Sequence, residues 1–203
     1  MKLIWKSVRI CLMIAGLLWI GTLVADRVFL NDQVIRLHVV ANSDSPEDQS
    51  IKLQVRDAVN DFLQETLADV TSVEEARAYL AENLPKIQRI ANEALVRCGV
   101  EPDAVVTFCK ETFGTRLYDT FRLPAGVYEA LRITIGEGEG KNWWCVAFPT
   151  LCVPATSEGF EDVAAGAGFP DRLNEALGDQ ESYSIRFFLL DCMGRVENFF
   201  HRG

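Results

Sequence analysis

An uncharged run, Ile10–Ala25 (ICLMIAGLLWIGTLVA), follows Lys2, Lys6 and Arg9, and the first acidic residue of the chain is Asp26. The run has no polar face, so it does not read as a core helix of a soluble domain. A basic start followed by a long apolar stretch marks a secretory signal or a signal anchor, and its positive flank predicts that the remainder of the chain is exported. Leu3–Ala25 is 23 residues, enough to span a bilayer when Lys6 and Arg9 lie at the cytoplasmic edge. Cleavage after Ala25 would put Leu23 at the −3 position, where a small residue is wanted. The reading therefore leans to an uncleaved anchor. The chain divides into 1–25 as signal peptide or signal anchor, 26–32 as a short linker, 33–192 as the exported domain and 193–203 as a C-terminal tail.

The 203 residues suffice for one domain with its own core. All 29 acids lie after Ala25 and only three of the 20 basic residues precede it, so the exported part carries a formal charge of −12. Such a balance argues against nucleic acid and against adhesion to anionic lipid. Membrane contact then falls to residues 1–25 if that segment stays uncleaved. The cysteines are Cys11, Cys98, Cys109, Cys145, Cys152 and Cys192, and the histidines are His38 and His201. No C-x-x-C pair occurs, so neither a metal site nor a cofactor is expected. Outside the cytosol disulfides become possible, and Cys145 and Cys152 are close enough in sequence for a local bridge.

Periodicity assigns the elements. Ile35, Leu37 and Val39 alternate with Arg36, His38 and Val40 as a strand. Ser45 as cap, Pro46 at the first helical position and Asp48 three residues on predict a helix to about Ala68. Thr71 with Glu74 predicts a second helix, and Asn83 with Pro85 a break and restart. A third helix then ends at Gly99. From there the pattern alternates. Strands are expected at Val105–Cys109, around Val127–Ile135, at Asn142–Phe148 and at Ser182–Asp191, with a short helix over Phe169–Leu177. The order predicts an α+β fold, a mostly antiparallel sheet with helices packed on one face, preceded by the N-terminal apolar signal or anchor helix.

The chemistry-bearing motifs are few. "GEGEG" (Gly136–Gly140) lacks the lysine of a phosphate loop, and its glutamates would repel phosphate, so it reads as a hairpin turn. Cys145 could serve as a nucleophile with a histidine base, which makes an exported thiol hydrolase the alternative function. Its neighbours Trp144 and Val146 offer nothing to lower its pKa, and a structural half-cystine is the better reading. No aspartic-protease or G-x-S-x-G signature is present, so no catalytic residue is assigned. In "NWWCVAF" Trp144, Val146 and Phe148 are expected on one face and Trp143, Cys145 and Ala147 on the other. A strand apolar on both faces is either central or presented to a partner, and tryptophan is enriched at such contacts.

Three blocks carry a resemblance: "RLHVVANSDSPEDQSIKLQVRDAVN" (Arg36–Asn60), "LPAGVYEALRITIGEGEGKNWWCVAFPTLC" (Leu123–Cys152) and "IRFFLLD" (Ile185–Asp191). Their order, the capped helix, the N-W-W-C and the L-C resemble stage II sporulation protein R of endospore-forming bacteria. Thr150 departs from the pattern where a second proline is expected. The resemblance implies a signalling protein without catalytic activity of its own. It would be exported from the forespore into the space between forespore and mother-cell membranes, secreted or N-terminally anchored. There it would activate a membrane-embedded aspartic protease of the mother cell that processes the pro-form of the early mother-cell sigma factor. On residue type and family blocks, the expected partner contacts are Asn42, Ser43, Asp44, Asn142, Trp143 and Trp144, with Cys145 and Cys152 holding the adjoining loop.

Overall fold

The computed structural model describes residues 1–118, 121–149, 164, 166–178 and 184–201. Helix α1 (Lys2–Gln33) leads into strand β1 (Ile35–Val40), then helices α2 (Pro46–Leu67) and α3 (Val73–Arg97). Strand β2 (Ala104–Phe113) follows, then a small hairpin of β3 (Arg116–Leu117) and β4 (Arg122–Leu123), then β5 (Gly126–Ile135) and β6 (Asn142–Phe148). Helices α4 (Asp171–Gly178) and α5 (Ile185–His201) complete the described elements. The main sheet has the order β2-β5-β1-β6. Its β2–β5 and β1–β6 pairings are antiparallel, and the central β1–β5 pairing is parallel. The α+β class with a largely antiparallel sheet is as expected.

One face of the sheet is covered by α2 and α3. Ile35, Leu37 and Val39 of β1 and Leu131, Ile133 and Ile135 of β5 meet Val55, Val59, Leu63, Leu80, Ile87 and Leu95. Side chains of this size stabilise by about 1.5–3 kcal/mol each when fully buried. The Ser45 cap forms as predicted, with its side chain accepting from Asp48 N. The α3 cap lies one residue later than expected, where Ser72 accepts from Glu75 N. No break occurs at Pro85, which sits inside α3. The apolar stripe Val73, Ala76, Leu80, Ile87, Ala91, Ala94 and Leu95 keeps one register across it, and this packing outweighs the lost backbone hydrogen bond.

The opposite face is covered too, where the sequence pointed to helices on one face only. The C-terminal half of α1, with α4 and α5, packs there through Leu23, Leu30, Val34, Leu173, Phe187 and Leu190 onto Phe113, Tyr128, Ala130 and Val146. Of the strand expected over Ser182–Asp191, the residues from Ile185 on are helical and form the start of α5. An apolar run such as IRFFLL fits either period. The buried set Phe187, Leu190, Asp191, Gly194 and Asn198 has helical spacing. Ser184 caps the helix, with Phe187 N donating to its hydroxyl at 3.1 Å. Residues 193–201, expected as a tail, continue this helix, and residues 26–32, expected as a linker, belong to the last turns of α1.

Candidate functional site

The β1–α2 loop and the β5–β6 turn are stapled together through the side chains of Asn42 and Asp44. Asn42 Oδ1 accepts from Glu137 N at 3.1 Å, and its Nδ2 donates to Asp48 at 3.0 Å. Ser43 Oγ donates to the same Asp48 oxygen. Hydrogen bonds from Ser43 and then Asn42 hold Asp48 below the usual carboxylate range. Asp44 Oδ1 accepts from Lys141 N at 2.7 Å. Gly140 lets the two loops touch, because a Cβ there would lie 2.2 Å from Ser43 O. Lys52 is buried beneath and donates to Lys141 O at 3.1 Å. Burial, and then the charge of Arg56, push its pKa down. The side chains of Asn42 and Asp44 thus brace the turn and the start of the strand after it, while that of Ser43 holds Asp48 on the helix side.

That strand, β6, is an edge of the sheet. Trp143 is 37% exposed on the α2 side, and the Arg56 guanidinium lies 4.3 Å from its ring centre. Trp144 projects to the other face, stacked on His38 at 5.5 Å with an interplanar angle of 18°. The Arg116 guanidinium covers it at 3.5 Å. Asn142 is exposed, and its Oδ1 lies 2.9 Å from His38 Nε2. His38 Nδ1 lies 2.7 Å from Glu111, which also accepts from Arg132 at 2.9 Å. Burial works against ionisation of Glu111, but the hydrogen bonds from His38 and Arg132 outweigh it and hold its pKa low. Phe148 joins Cys145 and Ala147 on the α2–α3 face, contrary to the simple alternation. The register shift between Ile35 and Arg36 pairs Ile35 with Phe148 and Arg36 with Val146, and a bulge of this kind returns the next side chain to the same face.

Cys145 is buried among the α2–α3 contacts, whereas His38 lies with Phe113 and Trp144 on the opposite face. The sheet therefore keeps Cys145 and His38 out of hydrogen-bond reach of each other. The expected partner of Cys145 in a bridge, Cys152, lies outside the described residues. Cys11, Cys98, Cys109 and Cys192 are free thiols. Burial, then Glu111, push the Cys109 thiol up, away from reactivity. Among the described residues no group of three or more His, Cys, Asp or Glu is placed to hold a metal.

Two features were not legible in the sequence. Asp26, one residue past the apolar run, is fully buried and pairs with Arg172 at 2.8 Å and with Arg186. Arg27 pairs with Glu197, which also accepts from Asn31 at 2.9 Å. The second feature is Arg36, fully buried on the face of Trp144. Its Nε donates to Cys145 O at 3.1 Å and its Nη2 to the Tyr118 hydroxyl at 2.7 Å. Alternation with apolar residues suggested a solvated face for Arg36; the covering helices and the β3–β4 hairpin bury it instead.

The profile of the family described as stage II sporulation protein R matches residues 31–158. A relative from Bacillus subtilis (strain 168), named stage II sporulation protein R, is 47% identical over 132 residues. That alignment takes in 65% of this chain and 59% of the relative, so the chain matches about three fifths of the relative's length. No solved structure matches the chain.

Proposed function

This chain belongs to the stage II sporulation protein R family, and on that premise we propose that it is an exported signal acting by contact on a membrane-embedded aspartic protease of the mother cell. In this reading the protein is made in the forespore, crosses its membrane and presents the domain in the intermembrane space. The protease it activates then trims the pro-form of the early mother-cell sigma factor. The family places the chain in sporulation; the target and the step are our own reading.

The observation that carries the reading is Trp143. A large aromatic ring stands part-exposed on an edge strand whose flanking loops are cross-braced by Asn42 and Asp44 and meet closely at Gly140. Part-exposed tryptophan on a rigid support is the usual chemistry of an interface anchor. An activator of this kind must bind the active arrangement of its target more tightly than the resting one. A tenfold shift requires about 1.4 kcal/mol of difference, within reach of one such contact. Helix α1 is long and apolar enough to cross a membrane. Because its C-terminal half is part of the core, an uncleaved α1 would hold the domain close to the bilayer it leaves. The reading is tested by co-expression with the protease and its pro-sigma substrate in a non-sporulating host. Processing should depend on this chain, and processing that persists in its absence removes the proposed role.

A further inference from the structure

Ile185 and Phe188 are 71% and 52% exposed at the start of α5, one turn apart on one face of the helix. Where they stand relative to α1 decides what that face meets.

Helix α1 sets the level of the bilayer. Its first charges after Arg9 are Asp26 and Arg27, and both are buried against the domain. On its outer side the helix therefore shows no charge from Ile10 to Phe29, and the next exposed one is Asp32. Ile10–Phe29 is 20 residues. At 1.5 Å per residue that is about 30 Å, the thickness of the hydrocarbon core. The uncharged run Ile10–Ala25 by itself would cover only about 24 Å. A span with Arg9 at the cytoplasmic edge thus ends near Phe29, and the exposed Val24 and Val28 still face lipid.

Whatever packs beside Thr22–Phe29 then lies where acyl chains meet headgroups. The start of α5 does so: Arg186 donates to Asp26 and, at 3.2 Å, to Thr22. Further along, Glu197 accepts from Arg27 and Asn31. The two helices therefore run in the same direction, and α5 climbs away from the bilayer. Its later exposed side chains Val196, Phe199 and Phe200 flank Glu197 or follow it and stand clear of the span.

We propose that Ile185 and Phe188 are a membrane footing: with Val24 and Val28 they enter the acyl–headgroup boundary of the leaflet that α1 leaves. This rests on the reading of α1 as an uncleaved span and is independent of the protease. A single spanning helix leaves its own tilt open, and contacts beside it set that tilt. The second contact at α5 thus fixes which way the domain faces. Apolar side chains at this depth gain by burial. The occupant is the apolar layer of the leaflet, since an acidic domain has nothing to offer anionic headgroups. On the adjoining α4 the exposed Asp171, Arg172 and Glu175 keep to the headgroups, Arg172 on its long stem.

The test places the full chain in phosphatidylcholine nanodiscs, with only the isoleucine and valine methyl groups visible to proton NMR, and reads Overhauser contacts to lipid acyl protons. Ile185, Val24 and Val28 are expected to show them. Val196, equally apolar on α5 but further out, and the buried Ile87 and Ile133 are expected to show none. Phe188→Asp, which puts a charge into the boundary, should abolish the Ile185 contacts and leave those of Ile14 and Ile20. No contact at Ile185, contacts equal at Ile185 and Val196, or contacts undiminished in Phe188→Asp overturns the footing. If Phe188→Asp misfolds, Phe188→Ser decides by the same signals. Contacts from Ile185 to a second chain in place of lipid give the face to another copy and overturn it as well. Ile14 and Ile20 read the premise separately. If they touch no lipid, α1 does not span and the footing falls with it; if they do and Ile185 does not, the anchor stands and the footing alone fails.

Discussion

Asp26 Oδ1 lies 2.8 Å from Arg172 Nη2 with its carboxylate entirely out of solvent, so the first acid after the apolar run is locked to a helix 146 residues further along the chain. Arg186 binds the other carboxylate oxygen and reaches Thr22 as well. The apolar helix and the folded domain therefore share one continuous element, with no hinge at residues 26–32.

Asp26→Ala should destabilise the full chain by about 3 kcal/mol, toward the lower end for a broken buried pair because Arg172 is itself 45% exposed and can rehydrate. At roughly 2–4 °C per kcal/mol for a chain of this size, a thermal melt in micelles should shift by about 6–12 °C. A shift within error would show that the end of α1 does not belong to the core. The same packing predicts an exported product with the intact mass of the full chain. Cleavage after Ala25 would remove the buried Leu23 and sever α1 immediately before Asp26, and a fragment beginning at Asp26 would count against the anchor.

Trp143→Ala should reduce processing of the sigma-factor precursor by about 30-fold, the loss of a central aromatic anchor of ~2 kcal/mol. Its ring is capped by Arg56 rather than enclosed in the core, so stability should change by only about 1 kcal/mol. Processing and thermal unfolding measured on the same variant separate the two roles. A variant that unfolds makes Trp143 a core residue and refutes the contact.

The elements with one dominant signal were legible in the sequence. Ser45, Pro46 and Asp48 gave the start of α2, and the alternation in Ile35–Val40 gave β1. The failures share a cause. Pro85 and the IRFFLL run carry local signals that tertiary packing overrode, in one case through an apolar stripe that kept its register and in the other through buried positions as far on as Asn198. Of the candidate site, Trp143 and Trp144 were found because residue type marks them. The bracing by Asn42 and Asp44 depends on a turn about 95 residues away, and the enclosure of Arg36 depends on a hairpin of four paired residues. No short-range pattern encodes either.

Acid should unfold the domain through two carboxylates in particular. Burial alone would raise Asp191, but hydrogen bonds from Ala125 N, Thr115 and Arg195 hold it below its ordinary value of 3.8. Glu111 is likewise held below 4.5. A group depressed on folding contributes stability that is fully present above its unfolded pKa and is lost as pH falls through the folded one. Stability should therefore be level above about pH 5 and decline below about pH 4. Asp191→Asn should be less stable than the wild type at neutral pH and show a shallower decline between pH 5 and 3 in urea titrations. An acid limb identical to that of the wild type would remove Asp191 from this role.

Two glycine substitutions of the same size should separate the site from the core. At Gly194, in the middle of α5, an added Cβ would lie 1.6 Å from Ala125 O, a backbone atom at the start of β5. The helix would have to lift away from the sheet along with Phe187, Leu190 and Asn198, so Gly194→Ala should lose about 3 kcal/mol or more and melt well below the wild type. At Gly140 the added Cβ would meet Ser43 O at 2.2 Å, again backbone, but in loops at the end of the sheet. The turn can move outward there with little loss of buried apolar area, at a cost of about 1–2 kcal/mol. That movement would break the Lys141–Asp44 and Glu137–Asn42 bonds that brace Trp143. Gly140→Ala should therefore lower processing at least about tenfold with a modest change in melting, and Gly194→Ala should lower both together. Normal processing by Gly140→Ala would mean that the position of Trp143 does not depend on the braced loops, and the site would have to be sought elsewhere on the domain.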